Sequence, residues 1–205
     1  MRMDSSTINY YSNNAKSVAD RYESVVNSLS DQFGAAFHLH SKILDIGCGS
    51  GRDLAVLHAM GHRCYGIDAT PEFVTIATEI HPELKGHIVQ AALPLFDVPF
   101  GGGFDGALCS AVLMHLEVNE LATAAESIKK CLSRSGRLLY SVPSRRGDVK
   151  ADNRDANGRL FVPNQAGRLH TIFEQLGFRL ISKWNNADSM GRDAIEWESV
   201  LMELT

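Results

Sequence analysis

Three glycines stand at alternate positions in the run Asp45-Ile-Gly-Cys-Gly-Ser-Gly51. Glycine lets a backbone turn tightly and approach a ligand closely. The amides at the start of the helix that follows can face that ligand. The spacing narrows the choice of ligand. A dinucleotide fingerprint needs glycine or alanine at the sixth position of GxGxxG, where this chain has Arg52, a bulky cation beside the helix it would crowd. A phosphate loop is disfavoured as well, because no Gly-Lys-Ser or Gly-Lys-Thr follows the glycines. Downstream, Gly66-Ile67-Asp68 ends an apolar run. A carboxylate at a strand end is often only a surface feature, but paired with a glycine turn upstream Asp68 is placed to accept both hydroxyl hydrogens of a ribose.

The chain has 8 histidines and 4 cysteines, with no HExxH and no CxxC spacing, so no metal site is expected. Cys48, Cys64, Cys109 and Cys131 read as reduced thiols in an apolar core. The formal net charge of −4 provides no positive field to attract a phosphate backbone, so nucleic acid is the less expected partner. Lys129-Lys130 and Arg145-Arg146 read as charges on a solvated face. A length of 205 residues, 44% hydrophobic and 21% charged, suits one globular domain, 1–205. No secretory leader or membrane span is read, so cytoplasmic residence is expected.

The elements that must position these residues alternate. Apolar residues at Ala15, Val18, Ala19, Tyr22, Val25, Val26 and Leu29 predict an amphipathic helix over Asn13–His38, within an amino-terminal cover of residues 1–40. Strands are predicted at Lys42–Ile46, Arg63–Ile67, His87–Gln90, Phe104–Ser110 and Arg137–Val142. Between them come helices at Asp53–Met60, Glu72–Ile80 and Val118–Leu132, the last with Ser133–Gly136 as its exit turn. Residues 143–164 carry many charges and little apolar periodicity, which reads as a long loop serving as a lid. A helix at Gln165–Leu176 and strands at Phe178–Trp184 and Ile195–Leu204 close the chain. Helical crossovers predict an α/β sheet, mainly parallel and covered on both faces, and the last two strands should pair as an antiparallel hairpin at its edge.

Four segments now stand in order: Ile43-Leu-Asp-Ile-Gly-Cys-Gly-Ser-Gly51, Gly66-Ile-Asp68, Phe104-Asp-Gly-Ala-Leu-Cys-Ser110 and Ser135-Gly-Arg-Leu-Leu139. Together they resemble the successive motifs of class I, Rossmann-like S-adenosylmethionine-dependent methyltransferases of small-molecule type, across about Tyr10 to Leu204. The resemblance implies a three-layer, doubly wound sheet of seven strands with the last antiparallel. It assigns Asp45, Gly47, Cys48, Gly49 and Gly51 to the methionine end of the cofactor, with Arg52 beside them, and Asp68 with Ala69 to ribose and adenine. Where members of the family often carry an acidic residue after the third strand, this chain has Ala91, so backbone groups near Ala92 and Leu93 would have to meet the adenine.

Ser110 and Ala111 lead from the fourth strand towards His115, which should line the pocket where the methyl group points. An imidazole titrating near pH ~6.5 could take a proton from an attacking oxygen or nitrogen. Equally, His115 could pack under the cofactor and hold the loop. Substrate-facing candidates are Tyr10, Tyr11 and Arg21 at the amino end and Asp152, Arg154, Asp155 and Arg159 in the long loop; solvated surface is their plain alternative. Arg192 and Trp197 are further candidates, although the strand spacing of Trp197 with Ile195 and Ser199 favours a core role. The expected activity is methyl transfer to an oxygen or nitrogen of a small molecule. The alternatives are a nucleic-acid or protein methyltransferase and a non-catalytic cofactor-binding module.

Overall fold

The computed structural model describes residues 3–25, 27–94 and 96–205. Seven strands form one sheet: β1 (Lys42–Ile46), β2 (Arg63–Asp68), β3 (Ile88–Gln90), β4 (Phe104–Ser110), β5 (Leu132–Arg146), β6 (Phe178–Ala187) and β7 (Ile195–Leu204). Their order is β3-β2-β1-β4-β5-β7-β6. The first five pair in parallel, and β7 runs antiparallel to both β5 and β6. The expected mainly parallel sheet with its last strand antiparallel is therefore present. One detail is corrected: within that hairpin β7 lies inside the sheet, between β5 and β6, and β6 forms the edge opposite β3.

Side chains alternate across the strands, and each face is covered by helices. Leu44, Ile46, Ala107, Cys109, Leu138 and Tyr140 meet α5 (Leu121–Cys131) and α6 (Gln165–Gln175). Ile43, Leu108, Leu139 and Leu201 meet α2 (Phe33–Ala36), α3 (Arg52–Ala59) and α4 (Pro71–Ile80). All four cysteines are buried and unpaired.

The amino-terminal helix differs from its prediction at both ends. α1 spans Ser5–Glu23, starting earlier because Asp4 caps it: the Asp4 carboxylate accepts the Thr7 N–H at 2.8 Å and the Thr7 hydroxyl at 2.7 Å. It stops before Leu29 and Phe33, which leave the helical register to bury in the core beneath the sheet. Val26, counted in the predicted periodicity, lies outside the described residues. α1 packs Ala15, Val18 and Ala19 against Phe73 of α4.

The predicted exit turn at Ser133–Gly136 is an irregularity inside β5, where the register against β4 shifts between Phe104 and Gly106. The loop expected from residue 143 begins later, after Arg146. β7 is long enough to pair with Arg145 and Arg146 beyond a second bulge, and this pairing draws four more residues, 143–146, into the strand.

Candidate functional site

A cavity of about 570 Å³ opens over the carboxyl ends of β1, β2, β4 and β5, the place where ligands bind in open α/β sheets. Its volume falls in the range of small-molecule sites. The glycine turn forms its floor. Gly47, Gly49 and Gly51 have φ of 77°, 54° and 85°, values that cost other residues about 1–2 kcal/mol each. The N–H groups of Gly47 and Cys48 donate to the Ile67 carbonyl at 2.7 and 3.1 Å, tying the turn to β2. At Gly47 a side chain would collide with Val112, whereas at Gly49 it would point into open space. That open cradle is room for a ligand.

Two carboxylates face the cavity from the strand ends. Asp68 accepts the Gly49 N–H at 2.9 Å on Oδ2 and the Thr70 N–H at 2.8 Å on Oδ1. Each oxygen keeps a further lone pair for a ligand hydroxyl. Burial raises its pKa, and the two amides act in the opposite direction. Asp45 is 2% exposed and its Oδ1 has no partner within the chain. Burial, then the negative charges of Asp53 and Asp68, hold its pKa well above the usual carboxylate range. An orphaned buried acceptor is costly unless a ligand or water satisfies it. The orphaned oxygen, the open cradle and the Asp68 carboxylate together fit a ligand with ammonium or hydroxyl donors, as adenosylmethionine has.

The remaining predicted cofactor residues, Cys48, Ala69, Ala92, Leu93, Ser110 and Ala111, also line the cavity. Arg52 does too, but its guanidinium is engaged by Asp53 at 3.0 Å and by the carbonyls of Tyr22 at 3.1 Å and Val25 at 3.3 Å. It ties the end of α1 to the start of α3.

His115 is 2% exposed. Its Nδ1 lies 2.6 Å from the Leu160 carbonyl, so Nδ1 carries the proton and Nε2 offers a lone pair. Nε2 faces the Tyr11 hydroxyl at 3.4 Å. Burial lowers the His115 pKa to about 4, against the Leu160 hydrogen bond and with help from the Arg159 and Arg146 charges. The ring is therefore neutral at physiological pH, an acceptor rather than a strong base. It also packs edge-on against Phe161 at 4.6 Å.

The predicted substrate residues come together only in part. The Tyr11 hydroxyl accepts a hydrogen bond from Arg159 Nη1 at 3.1 Å, and the Arg159 guanidinium lies 4.7 Å from the Tyr10 ring centroid. Arg159 is itself held by Asp155, at 2.9 Å through Nε and 2.6 Å through Nη2. Arg21 lines the cavity from an exposed position on α1. Arg154 lies outside the cavity lining: it pairs with Asp4 at 2.7 Å, fastening the long loop to α1, and Asp152 is exposed. The Leu160 N–H donates to Thr7 Oγ1 at 2.9 Å and strengthens the same junction.

Sequence reasoning missed Arg146, Phe161 and Asp188. Arg146 was grouped with Arg145 as solvated, yet the two separate. Arg145 is 55% exposed and paired with Glu196, while Arg146 is 7% exposed with its guanidinium 3.3 Å from the Phe161 ring centroid. Strand alternation was the available signal, had β5 been extended past Pro143. Trp197 lines the cavity too, with its Nε1–H donated to Asp188 at 2.9 Å. Among the described residues no group of three or more His, Cys, Asp or Glu could hold a metal ion, and no helix is long and apolar enough to cross a membrane.

Known proteins share this fold. A family model described as "Methyltransferase domain" matches residues 44–140, which take in the glycine turn, Asp68 and His115. An uncharacterized methyltransferase of Staphylococcus carnosus is 26% identical over 136 residues, 60% of this chain and 63% of its own length. The 18S rRNA (guanine-N(7))-methyltransferase bud23 of Schizosaccharomyces pombe is 35% identical over 77 residues, 37% of this chain and 28% of its own length. The chain thus spans less than two thirds of either relative. Among solved structures, the 1,6-didemethyltoxoflavin-N1-methyltransferase of Burkholderia thailandensis, with bound 1,6-didemethyltoxoflavin and S-adenosylhomocysteine, superposes with a TM-score of 0.74. That match has 20% identity and covers 98% of this chain and 88% of the other. By its motifs, its sheet order and the methyltransferase domain matched over residues 44–140, the chain is similar to the class I, Rossmann-like S-adenosylmethionine-dependent methyltransferases.

Proposed function

We propose that this protein transfers a methyl group from S-adenosylmethionine to an oxygen or nitrogen of a small molecule, by in-line displacement. The observation that carries this reading is a single cavity lined at once by the glycine turn with Asp45 and Asp68 and by His115, Tyr11 and Arg159. When bound, the cofactor supplies an electrophilic methyl group on a sulfonium that departs as a neutral thioether. Asp68 holds the ribose hydroxyls, Asp45 Oδ1 faces the methionine end, and backbone groups near Ala92 and Leu93 meet the adenine. The chain's contribution is alignment and exclusion of water. α1 and the 147–164 loop, joined by Asp4–Arg154, provide that cover.

His115 positions the nucleophile. Its Nε2 lone pair accepts a hydrogen bond from the O–H or N–H of the acceptor and orients the attacking lone pair towards the methyl group. With a pKa near 4 it receives a proton only as positive charge develops on that acceptor. The unpaired, buried cysteines suit a reducing compartment, and cytoplasmic residence is part of the reading.

The rRNA methyltransferase among the relatives favours a second reading, an RNA acceptor, against which the net charge of −4 weighs. Calorimetry with S-adenosylmethionine and S-adenosylhomocysteine tests the cofactor site. A methyl-transfer screen over phenols, amines, heteroaromatic N–H compounds and ribosomal RNA tests the acceptor. Binding of both ligands with turnover on small molecules is expected. Turnover on RNA alone would move the assignment to the second reading, and no binding of either ligand would remove both.

A further inference from the structure

The aromatic rings around the cavity are mostly occupied. The Arg159 guanidinium lies 4.7 Å from the Tyr10 ring and 5.6 Å from the Tyr11 ring, and that of Arg146 covers Phe161. Tyr22 has Arg52 at 5.9 Å, and Phe73 meets Tyr11 at 6.0 Å. Trp197 differs: among the described residues no ring or guanidinium stacks on its indole. Its edge is nonetheless fixed, because Nε1–H donates to Asp188. The Asp188 side chain is 3% exposed and also accepts from the backbone N–H of Met190 and from Arg192 Nε and Nη2. The indole packs against the core of the sheet and also lines the cavity, and, held at one edge, the part that faces the cavity is a preorganised stacking surface.

Its place in the sheet puts that surface on the acceptor side. Asp68, at the ribose side, ends β2, whereas β4, β5 and β7 lie beyond β1 in the other direction. Ser141 Oγ accepts the Ala111 N–H at 3.1 Å, and Ser141 pairs across the sheet with Ser199. Trp197 is two residues back along antiparallel β7, on the same face and about 7 Å farther out past the strand ends. The surrounding guanidiniums are committed: Arg146 to Asp148, Arg159 to Asp155 and Arg192 to Asp188. Arg21 also lines the cavity, from α1 over the Tyr22 ring, but a carboxylate or phosphate beside Trp197 would meet these aspartates and guanidiniums that are already paired.

We infer that Trp197 is the specificity-determining platform of the acceptor site, and that the acceptor is a flat, conjugated, uncharged molecule that stacks on the part of the indole lining the cavity. This rests on the methyl-transfer reading and adds the substrate class. The test separates the two. Trp184, the other tryptophan, packs against a different part of the molecule, in the core with Phe33 and Leu201, so in Trp184→Phe the emission reports Trp197 alone. S-adenosylhomocysteine is first titrated by calorimetry; failure there strikes the methyl-transfer reading. With that ligand saturating, hypoxanthine and nicotinamide should quench Trp197 at concentrations at least about tenfold below nicotinate or cyclohexanol, since stacking on an aromatic side chain contributes about 1–3 kcal/mol. Quenching by neither planar compound, or preference for the anion or the saturated ring, overturns the inference while leaving cofactor binding intact. In parallel, Trp197→Ala should raise KM for an acceptor found in the screen about tenfold, with kcat and S-adenosylhomocysteine affinity nearly unchanged, and Trp197→Phe should restore most of it. A joint loss of cofactor affinity and kcat in Trp197→Ala, unrelieved by Phe, would mark a packing role and also overturn it.

Discussion

The two ends of the cavity are built differently. At the adenosine end, the turn from Gly47 to Gly51 and the carboxylate of Asp68 are joined by backbone amides, all within one β-α-β unit. At the acceptor end, side chains distant in sequence hold one another: Tyr11 with Arg159, Asp4 with Arg154, Ser28 with Ser189. A backbone turn demands particular residue types at fixed spacing, so it leaves a motif. A side-chain network needs only complementary charges brought together by the fold, so it leaves none. Under the proposed function, the first end would bind a constant cofactor while the second varies with its acceptor.

Four perturbations sharpen that contrast, the largest first. Removing Asp155 strands the Arg159 guanidinium in a buried site, and loss of one partner of such a pair costs about 3–5 kcal/mol. Asp155→Ala should unfold at markedly lower denaturant, as circular dichroism would record; a change below about 1 kcal/mol would show that the acceptor end is not held by this pair.

At the other end, Gly47→Ala forces a left-handed alanine into Val112 and should cost about 3 kcal/mol of stability. Gly49→Ala meets only open space and should cost about 1 kcal/mol while still abolishing cofactor binding. Equal stability losses in the two variants, compared by thermal denaturation, would contradict the cradle described at Gly49.

Asp68→Ala removes a charge-assisted acceptor and should weaken S-adenosylhomocysteine binding by about 1.5–3 kcal/mol by calorimetry. An unchanged Kd would refute the ribose role.

The smallest effect is a pH slope. His115 has a folded-state pKa near 4, below the ordinary value of 6.5 for its unfolded state. Between those values the unfolded chain binds the extra proton. Its contribution to stability is therefore fully present above pH 6.5 and declines on acidification, by at most about 1.4 kcal/mol per pH unit. Denaturant titrations from pH 7 to 5 should show a shallower slope in His115→Gln. Parallel slopes would place His115 in contact with solvent.

The legible part of the molecule follows the same division. Strands β1, β4 and β7 were predicted to the residue, and β2 and β3 within one, because alternation and bounding turns are local. α1 was misplaced because apolar spacing continued past Glu23 into residues that bury elsewhere, and its true start depended on a cap at Asp4. Arg146 and Arg145 are identical in type and adjacent. Only the pairing of β5 with β7 turned one inward over Phe161 and left the other exposed. Trp197 packs against the core as its spacing predicts, and the fold also brings it to the cavity.

By itself, the sequence determined the sheet class, the glycine turn and the carboxylate that answers it, since each depends on backbone geometry that few residue types tolerate. Which side chains face an acceptor was decided by the tertiary structure alone. Burial, ion pairing and the tautomer of His115 arise from contacts between segments far apart in sequence, for example Tyr11 and Arg159, and no local pattern encodes them.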